Sequence, residues 1–301
     1  MTPIRTLIQR PLNWAEQFLR TDVRYLLRGG FWLTTGQVVS MAAGFGLSVA
    51  FAHFVPKEVF GTYRFVFSLG GLFATITLTA MAGAVTQAVA RGFDGAMQQG
   101  LRTYLYWSIP SVIITLGASA YYFWNGNSIL GYSLIVVAIC SPLLSGFNMY
   151  SAFLKGKKDF ARDSVYGFFL SVAPSVLLVG LMLIGKTQSV PLFIGTYYIS
   201  MVILSIFFHI RTIKKYRPNT QEDPETTPYG MHLSAINFLG RVAAYVDKIL
   251  IFHFLGAAPL AIYSFASAPS NYVLRLSGVF KTLALPKLAE RDIATLKKNT
   301  S

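Results

Sequence analysis

The fold is decided by the stretch SVYGFFLSVAPSVLLVGLMLIG, residues 164–185, which contains no charged side chain. A helix needs about 20 mostly apolar residues to cross the hydrocarbon core of a bilayer. Because lipid offers no hydrogen-bond partners to the backbone, a segment of this kind crosses as an α-helix, which satisfies its own backbone groups. The stretch therefore predicts a transmembrane helix.

Seven further apolar stretches lie on either side of it. The whole chain is 53% hydrophobic and 13% charged, whereas soluble domains are about 45–50% apolar and about 25% charged. We therefore predict an all-α, multi-pass membrane protein in place of a soluble one. Pro142 and Pro174 fall in mid-span and predict kinks. The predicted spans, about eight in number, are residues 31–54, 65–90, 104–124, 129–153, 164–185, 191–210, 231–255 and 259–285.

Positive charge lies mainly on one side of the predicted membrane. Of the 26 Lys and Arg residues, 20 fall in segments that alternate spans place on one side, 3 on the other side and 3 within spans. The positive-inside rule makes the basic side, with the amino terminus, cytoplasmic. The net charge of +14 is thus explained by topology, and no nucleic-acid partner is expected. Residues 1–28 combine apolar side chains with arginines and are predicted to lie on anionic lipid as an interfacial segment.

An internal repeat is visible when the chain is compared with itself at an offset of 200 residues, with biased apolar composition as the competing explanation. Six helices separate the equivalent elements, so the two lobes run in the same direction. Eight spans then correspond to one six-helix lobe and the first hairpin of a second, and we expect a truncated or incomplete second lobe. The matching pairs are Leu33 and Leu233, His53 and His253, Phe54 and Phe254, Tyr63 and Tyr263, and Phe65 and Phe265.

These observations predict a domain organisation with a polar segment between two membrane regions. The segment is basic at first, then acidic, and it is interrupted by prolines, so a flexible linker is expected. The predicted units are a cytoplasmic interfacial segment at 1–28, a six-helix lobe at 29–210, a cytoplasmic linker at 211–230, two helices of a second lobe at 231–285 and a cytoplasmic tail at 286–301.

Enzyme motifs give no consistent reading. Residues 180–187, GLMLIGKT, match the phosphate-binding pattern G-x-x-x-x-G-K-[ST], but they close an apolar span, whereas a working loop follows a strand and opens a helix. The histidines lack H-E-x-x-H spacing, and no G-x-S-x-G occurs. The single cysteine, Cys140, cannot form an intrachain disulfide. We expect neither catalysis nor a cofactor or metal.

Charged residues within predicted spans mark the candidate site, since ions in hydrocarbon are costly and usually functional. Arg241 and Lys248 are seven residues apart and share one helix face, which Asn237 and Tyr245 flank. Two cations on a buried face suit a water-filled cavity for an anion such as a phosphate. Arg275 in the eighth span is a further candidate for this cavity.

Asp247 is the only acidic residue within a predicted span, and it points about 120° away from Arg241 around the helix. Two roles fit such a residue. It either couples transport to an ion or neutralises Arg275 or another cation across a helix interface.

Two hairpins carry a family resemblance. VPKEVFGTY at residues 55–63, with Ser68 following, resembles a first hairpin of the form L-G-P-x-x-F-G-x-Y, although Val and Pro replace the usual Leu-Gly. DKILI at 247–251, followed by LGA at 255–257 and LAIYS at 260–264, is similar to D-[KR]-I-x-I and L-G-x-x-x-[LI]-x-x-Y. The chain thus resembles the polysaccharide, or lipid-linked oligosaccharide, flippases of the multidrug/oligosaccharidyl-lipid/polysaccharide exporter superfamily.

The resemblance implies two six-helix lobes in the bacterial cytoplasmic membrane. By alternating access they would move an undecaprenyl-diphosphate-linked glycan to the outer leaflet, for lipopolysaccharide O-antigen or exopolysaccharide. It also implies a basic cavity for the diphosphate, which Arg241, Lys248, Arg64 and Arg275 would match. The implied partners are the polyprenyl-linked glycan, membrane lipids, a glycan polymerase and other assembly proteins.

Three alternatives stay open. A drug or small-molecule exporter of the same superfamily would favour an apolar, acid-lined cavity, and the excess of cations over Asp247 weighs against it. A sugar-porter carrier also has two lobes, but the loop 91–103 lacks the Asp-Arg and paired basic residues expected there. A non-transporting membrane protein from a truncated reading frame is the third.

Overall fold

The computed structural model describes residues 23–185, 188–268 and 270, and over these residues the protein is helical without strands. It is an all-α, multi-pass membrane protein, as the sequence predicts. The helices, in chain order, are α1 Val23–Phe54, α2 Lys57–Ala74, α3 Met81–Ala90, α4 Ala96–Trp107, α5 Ile109–Trp124, α6 Ser128–Phe147, α7 Met149–Gly156, α8 Phe160–Gly185, α9 Val190–Tyr216, α10 Thr226–Leu255 and α11 Ala257–Ala266.

Four stretches of helix are long and apolar enough to cross a membrane. They are Gly29–Phe54 in α1, Ser128–Gly156 spanning α6 and α7, Phe160–Ile184 in α8, and Val190–Tyr216, which is α9. Large apolar side chains on their outer faces are exposed, such as Ile184, which is 88% exposed. Apolar surface on this scale is unfavourable in water but suits contact with lipid.

The predicted span 65–90 is two helices and not one, because the chain leaves the helix between α2 and α3. The sequence there is rich in threonine, whose hydroxyl competes for backbone hydrogen bonds. Thr75 Oγ1 donates to the carbonyl of Leu72 at 2.6 Å, and Thr77 Oγ1 donates to that of Ala74 at 2.7 Å. The hydroxyls thus satisfy carbonyls at the break, which lets the helix end at membrane depth.

Two more predicted spans are interrupted by a single residue. Ser108 separates α4 from α5, where Pro110 occupies the first turn of α5, and Asn148 separates α6 from α7. Proline is tolerated in a first helical turn because its missing N–H would be unpaired there anyway. Pro142 and Pro174, where kinks are predicted, lie inside α6 and α8 without ending them.

Two predicted boundaries differ from the limits of the helices. Residues 23–28 of the predicted interfacial segment belong to α1 and continue into the first span, and residues 1–22 lie outside the described residues. The linker predicted at 211–230 is shorter than expected, because α9 runs on to Tyr216 and α10 begins at Thr226. Residues 217–225 alone connect them, and Arg217 ends α9 in the left-handed conformation with φ 46°.

Successive crossings bring the connections together at two ends of the bundle. The connections after α3, α7 and α9 form one end, which we call the charged end, and those after α1, α5, α8 and α10 form the opposite end. A buried apolar cluster lies towards each end. Phe51, Phe193 and Leu134 belong to the cluster of the opposite end. Met97 and Phe153 belong to that of the charged end.

The α1–α2 and α10–α11 hairpins share their ring contacts, as the repeat predicts, although the turn residues Pro56 and Gly256 differ in backbone conformation, with φ −55° and 94°. Pro56 and Gly256 precede α2 and α11 at an offset of 200. The rings of His53 and Phe54 meet edge to face at 4.8 Å and 86°, and those of His253 and Phe254 at 5.1 Å and 83°. The hairpins also touch each other, since α11 packs along α2.

Candidate functional site

A cavity of about 900 Å³ lies among α1, α2, α8, α9, α10 and α11. A space of this size, lined by apolar rings and a few polar groups, is typical of a ligand site. Its lining has three parts. Charged side chains come from Arg64, Asp247 and Lys248; aromatic rings from Phe51, Phe60, Tyr63, Phe67, Tyr197, Tyr245 and Tyr263; and hydroxyls from Ser40, Ser48, Ser68, Ser171, Ser175, Ser264, Ser267 and Ser270.

Two cations reach this cavity from different helices. Arg64 comes from α2 and Lys248 from α10. The Lys248 side chain is only 17% exposed, and its Nζ donates to the carbonyl of Ala244 at 2.7 Å. Its ammonium has two further donors, so Lys248 can bind an anion in the cavity without leaving its backbone partner.

Asp247 is held within its own hairpin. Its Oδ2 accepts the hydroxyl of Tyr263, its Oδ1 accepts the amide of Lys248 at 2.8 Å, and the same Oδ1 lies 3.8 Å from the Lys248 Nζ. The carboxylate therefore joins α10 to α11 and stands beside one cation of the cavity. With one acid and two cations among the lining residues, the charge of the lining is positive.

Arg241 and Asn237 do not line the cavity, in contrast to the prediction. Both are exposed on α10, and Asn237 Nδ2 donates to the carbonyl of Leu233 at 2.8 Å. Seven residues separate Arg241 from Lys248 by about 10 Å along the helix axis. On α10 the cavity lining begins at Ala244, three residues after Arg241, whose own side chain is exposed. Arg275 lies outside the described residues.

Serine hydroxyls form a wall that the sequence reasoning missed. Ser48 Oγ donates to the carbonyl of Gly44 at 3.0 Å, and Ser175 Oγ donates to that of Ser171 at 2.8 Å. A hydroxyl that donates to the backbone keeps its acceptor lone pairs. These oxygens can accept hydrogen bonds from a ligand rich in O–H groups. The available signal was the four-residue spacing of small polar residues on α1 and α8.

A glycine fixes one aromatic ring of the lining. The ring of Tyr245 lies so close to Gly71 on α2 that a Cβ there would be 2.5 Å from its Cε1 atom. A larger residue at this position would displace the Tyr245 ring from its place in the lining. The Lys248 Nζ in turn lies 6.0 Å from the centre of this ring, within the range of a cation–π contact. Gly71 therefore supports the position of both residues of α10.

Ion pairs occupy the charged end. Lys157 Nζ lies 2.6 Å from Asp94, and Arg162 Nη1 donates to Asp159 at 2.7 Å. Burial acts to raise the pKa of Asp159, but the Tyr216 hydroxyl, the Arg162 amide and nearby cations outweigh it and hold that pKa below its ordinary value of 3.8. Several basic residues that determine the predicted topology thus have acidic partners at this end.

No set of three or more His, Cys, Asp or Glu residues that could hold a metal occurs among the described residues. The helices, the repeated hairpins and the cavity describe a multi-pass membrane protein with a positively charged internal cavity. The chain belongs to the polysaccharide biosynthesis protein family, whose model matches residues 26–290.

Two solved structures share the fold. One is described as a MOP superfamily transporter from Pyrococcus furiosus Vc1 (DSM3638), in which the reverse polarity of the binding pocket suggests a different function; it is 14% identical, with a TM-score of 0.64 over 91% of this chain. The other is a MATE in complex with Br-NRF, 16% identical, with a TM-score of 0.66 over 94% of this chain and 73% of its own. This chain spans 66% of the length of the first structure. No curated protein matches the sequence.

Proposed function

We propose that this protein moves a polyprenyl-diphosphate-linked oligosaccharide across the bacterial cytoplasmic membrane, as a flippase for cell-surface polysaccharide. The observation that carries the proposal is that Arg64 and Lys248, one from each hairpin, line the same cavity, which serine hydroxyls also line. Family membership supports a role in polysaccharide biosynthesis. The transported oligosaccharide is then used to build the O-antigen of lipopolysaccharide or an exopolysaccharide.

The cavity offers different chemistry to the two parts of such a lipid. A diphosphate accepts hydrogen bonds and carries negative charge, so it binds Arg64 and Lys248 by charge-assisted hydrogen bonds. Sugar hydroxyls donate as well as accept, so they can use the acceptor oxygens of Ser48 and Ser175. The polyprenyl chain stays outside the cavity, in the lipid that contacts the exposed apolar faces of the helices.

Transport follows from the arrangement of the two hairpins about the cavity. Since Arg64 and Lys248 belong to different lobes, a bound diphosphate bridges them and can bias their relative movement. The charged end faces the cytoplasm in this proposal, in accord with the excess of basic residues predicted there. The lipid enters from the inner leaflet and leaves towards a glycan polymerase and other assembly proteins outside.

A second candidate is export of a cationic drug or small molecule. Asp247 and the ring of Tyr263 stand together at the cavity, and a carboxylate beside aromatic rings is suited to an organic cation. Two cations in the same lining oppose that ligand electrostatically. The binding experiment below separates the two candidates.

The test is binding of undecaprenyl-diphosphate-linked N-acetylglucosamine to the purified protein in detergent, measured by native mass spectrometry. Loss of a charge-assisted hydrogen bond costs about 1.5–3 kcal/mol, so Arg64→Ala and Lys248→Ala should each weaken binding about tenfold or more. Arg241→Ala removes a cation of the same helix outside the cavity and serves as the matched control. Equal binding of uncharged undecaprenol-linked sugar, or preferential binding of an organic cation such as ethidium, would refute the flippase proposal.

A further inference from the structure

The linker between the two lobes, residues 217–225, lies against the turn between α3 and α4 at the charged end. We propose that it is a reversible ionic latch. When closed it holds the start of α10, and with it the second lobe, against the first lobe, and separation of the lobes at this end requires the pair Arg91–Asp223 to break. The purpose of the latch rests on the proposed function, but its test needs no substrate.

Asp223 is the centre of the latch. It is only 3% exposed, and one of its oxygens accepts a hydrogen bond from Arg91 Nη2. The same side chain holds the residues that open α10, because it accepts from the Glu225 amide at 3.2 Å and from the Thr226 hydroxyl at 3.3 Å. A single carboxylate therefore connects the start of α10 to the first lobe.

Helix dipoles favour this arrangement. Arg91 is the C-cap of α3, at the negative end of that helix, whereas Asp223 stands before the positive end of α10. The two charges are thus each favoured where they lie and attract each other across the junction.

Backbone contacts align the linker with the turn. The Gly95 amide donates to the carbonyl of Gln221 at 3.0 Å, and a Cβ on this glycine would lie 2.6 Å from that carbonyl oxygen. The Asn219 side chain accepts from the Asp94 amide and donates to the Gly92 carbonyl, both at 3.1 Å. The linker is therefore docked, and it does not hang between the lobes as the flexible tether that its prolines predict.

The polar character of the junction is what makes it reversible. Amide, carboxylate and guanidinium groups at a helix end can exchange their partners for water when the junction opens. Deeper in the bundle α10 meets α3 by close packing, where a Cβ on Gly230 would lie 2.6 Å from Met81 Sδ. A polar lock beside an apolar contact gives two discrete arrangements, closed and open, as switching transitions require.

The experiment measures the distance between the lobes with spin labels on the full chain in lipid nanodiscs. Exposed Tyr106 on α4 and exposed His232 on α10 are replaced by cysteine in a Cys140→Ser background and labelled for pulsed electron–electron double resonance. Asp223→Asn removes the charge but keeps a side-chain oxygen that can accept from the Glu225 amide. Arg91→Gln leaves the contacts of Asp223 with Glu225 and Thr226 intact. Both should raise the ratio of long to short distances about tenfold or more.

The matched control is Glu222→Gln. Glu222 is the neighbour of Asp223, but its contact with Arg102 is 3.8 Å long and half exposed, so the distance distribution should not change. Unchanged distances in both Asp223→Asn and Arg91→Gln, with native helicity by circular dichroism, would overturn the latch. If Asp223→Asn and Arg91→Gln shift the distances but the wild-type protein does not bind the lipid-linked sugar, the proposed function is refuted and the latch is not.

Discussion

At the residue scale, the position of a charge along its helix matters as much as its face. The sequence identifies Lys248 and Arg64, which line the cavity, but it also selects Arg241, which does not. Periodicity gives the angle around a helix with good accuracy, but it carries no information on where a cavity begins or ends along the axis. The hydroxyl of Tyr263 donates to Asp247. The sequence repeat pairs Tyr263 with Tyr63, but it does not identify Tyr263 as a candidate site residue.

Gly61 makes a prediction at this scale. An ideal Cβ on this residue would lie 1.8 Å from the carbonyl oxygen of Ala257, and a backbone atom cannot rotate away. Gly61→Ala should therefore separate α2 from α11 and destabilise the protein by about 1–3 kcal/mol, seen as a lower unfolding temperature in detergent. Gly117→Ala is the control, since nothing lies within 4 Å of its Cβ position; an equal loss in both variants would contradict the close contact.

Asp159 predicts a pH dependence. Its pKa in the folded protein lies below the ordinary 3.8, so its contribution to stability is present above that value and is lost as pH falls through the folded pKa. The difference in unfolding temperature between the wild type and Asp159→Asn should be largest near neutral pH and should shrink below about pH 4. A difference that is constant from neutral to acid pH would show that the charge of Asp159 does not stabilise the fold.

At the element scale, the sequence predicts the crossings well and their internal breaks poorly. Residues 164–185 form one continuous helix, as their composition indicates, even though Pro174 lies within it and Ser171 and Ser175 donate to its carbonyls. Residues 65–90 also carry no charge, but their threonines pair with carbonyls at the end of α2. Hydropathy averages over such a break. The docking of residues 217–225 is also invisible to the sequence, because no local rule pairs Asp223 with Arg91 over 132 residues.

Thr77 tests the break between α2 and α3. Its hydroxyl donates to the Ala74 carbonyl and lies 3.1 Å from the Tyr104 hydroxyl on α4. Thr77→Val should leave a buried acceptor unpaired and cost about 1–3 kcal/mol, measured by thermal unfolding. Thr62→Val is the matched control, because the exposed Thr62 hydroxyl bonds only to a carbonyl of its own helix. Equal unfolding temperatures for the wild type and both variants would show that the threonine does not hold the break.

At the scale of the whole molecule, two hairpins of similar geometry bring one cation each to a common cavity. The offset of 200 residues predicts the correspondence of Pro56 with Gly256 and of the helices that follow them. It does not predict that α2 and α11 touch, because a repeat in sequence carries no information on how its copies pack. Separation of the lobes would change the distance between Arg64 and Lys248, which is how a diphosphate bound between them would sense the movement.

The most direct test is the movement of undecaprenyl-diphosphate-linked N-acetylglucosamine across proteoliposome membranes that contain the full chain. Sugar that reaches the outer leaflet is measured with an impermeant galactosyltransferase and radiolabelled donor. We predict movement with the wild type, loss of about tenfold or more with Lys248→Ala and Arg64→Ala, and little change with Arg241→Ala. Equal movement in all four proteins, or in liposomes without protein, would contradict a role for the Arg64–Lys248 cavity.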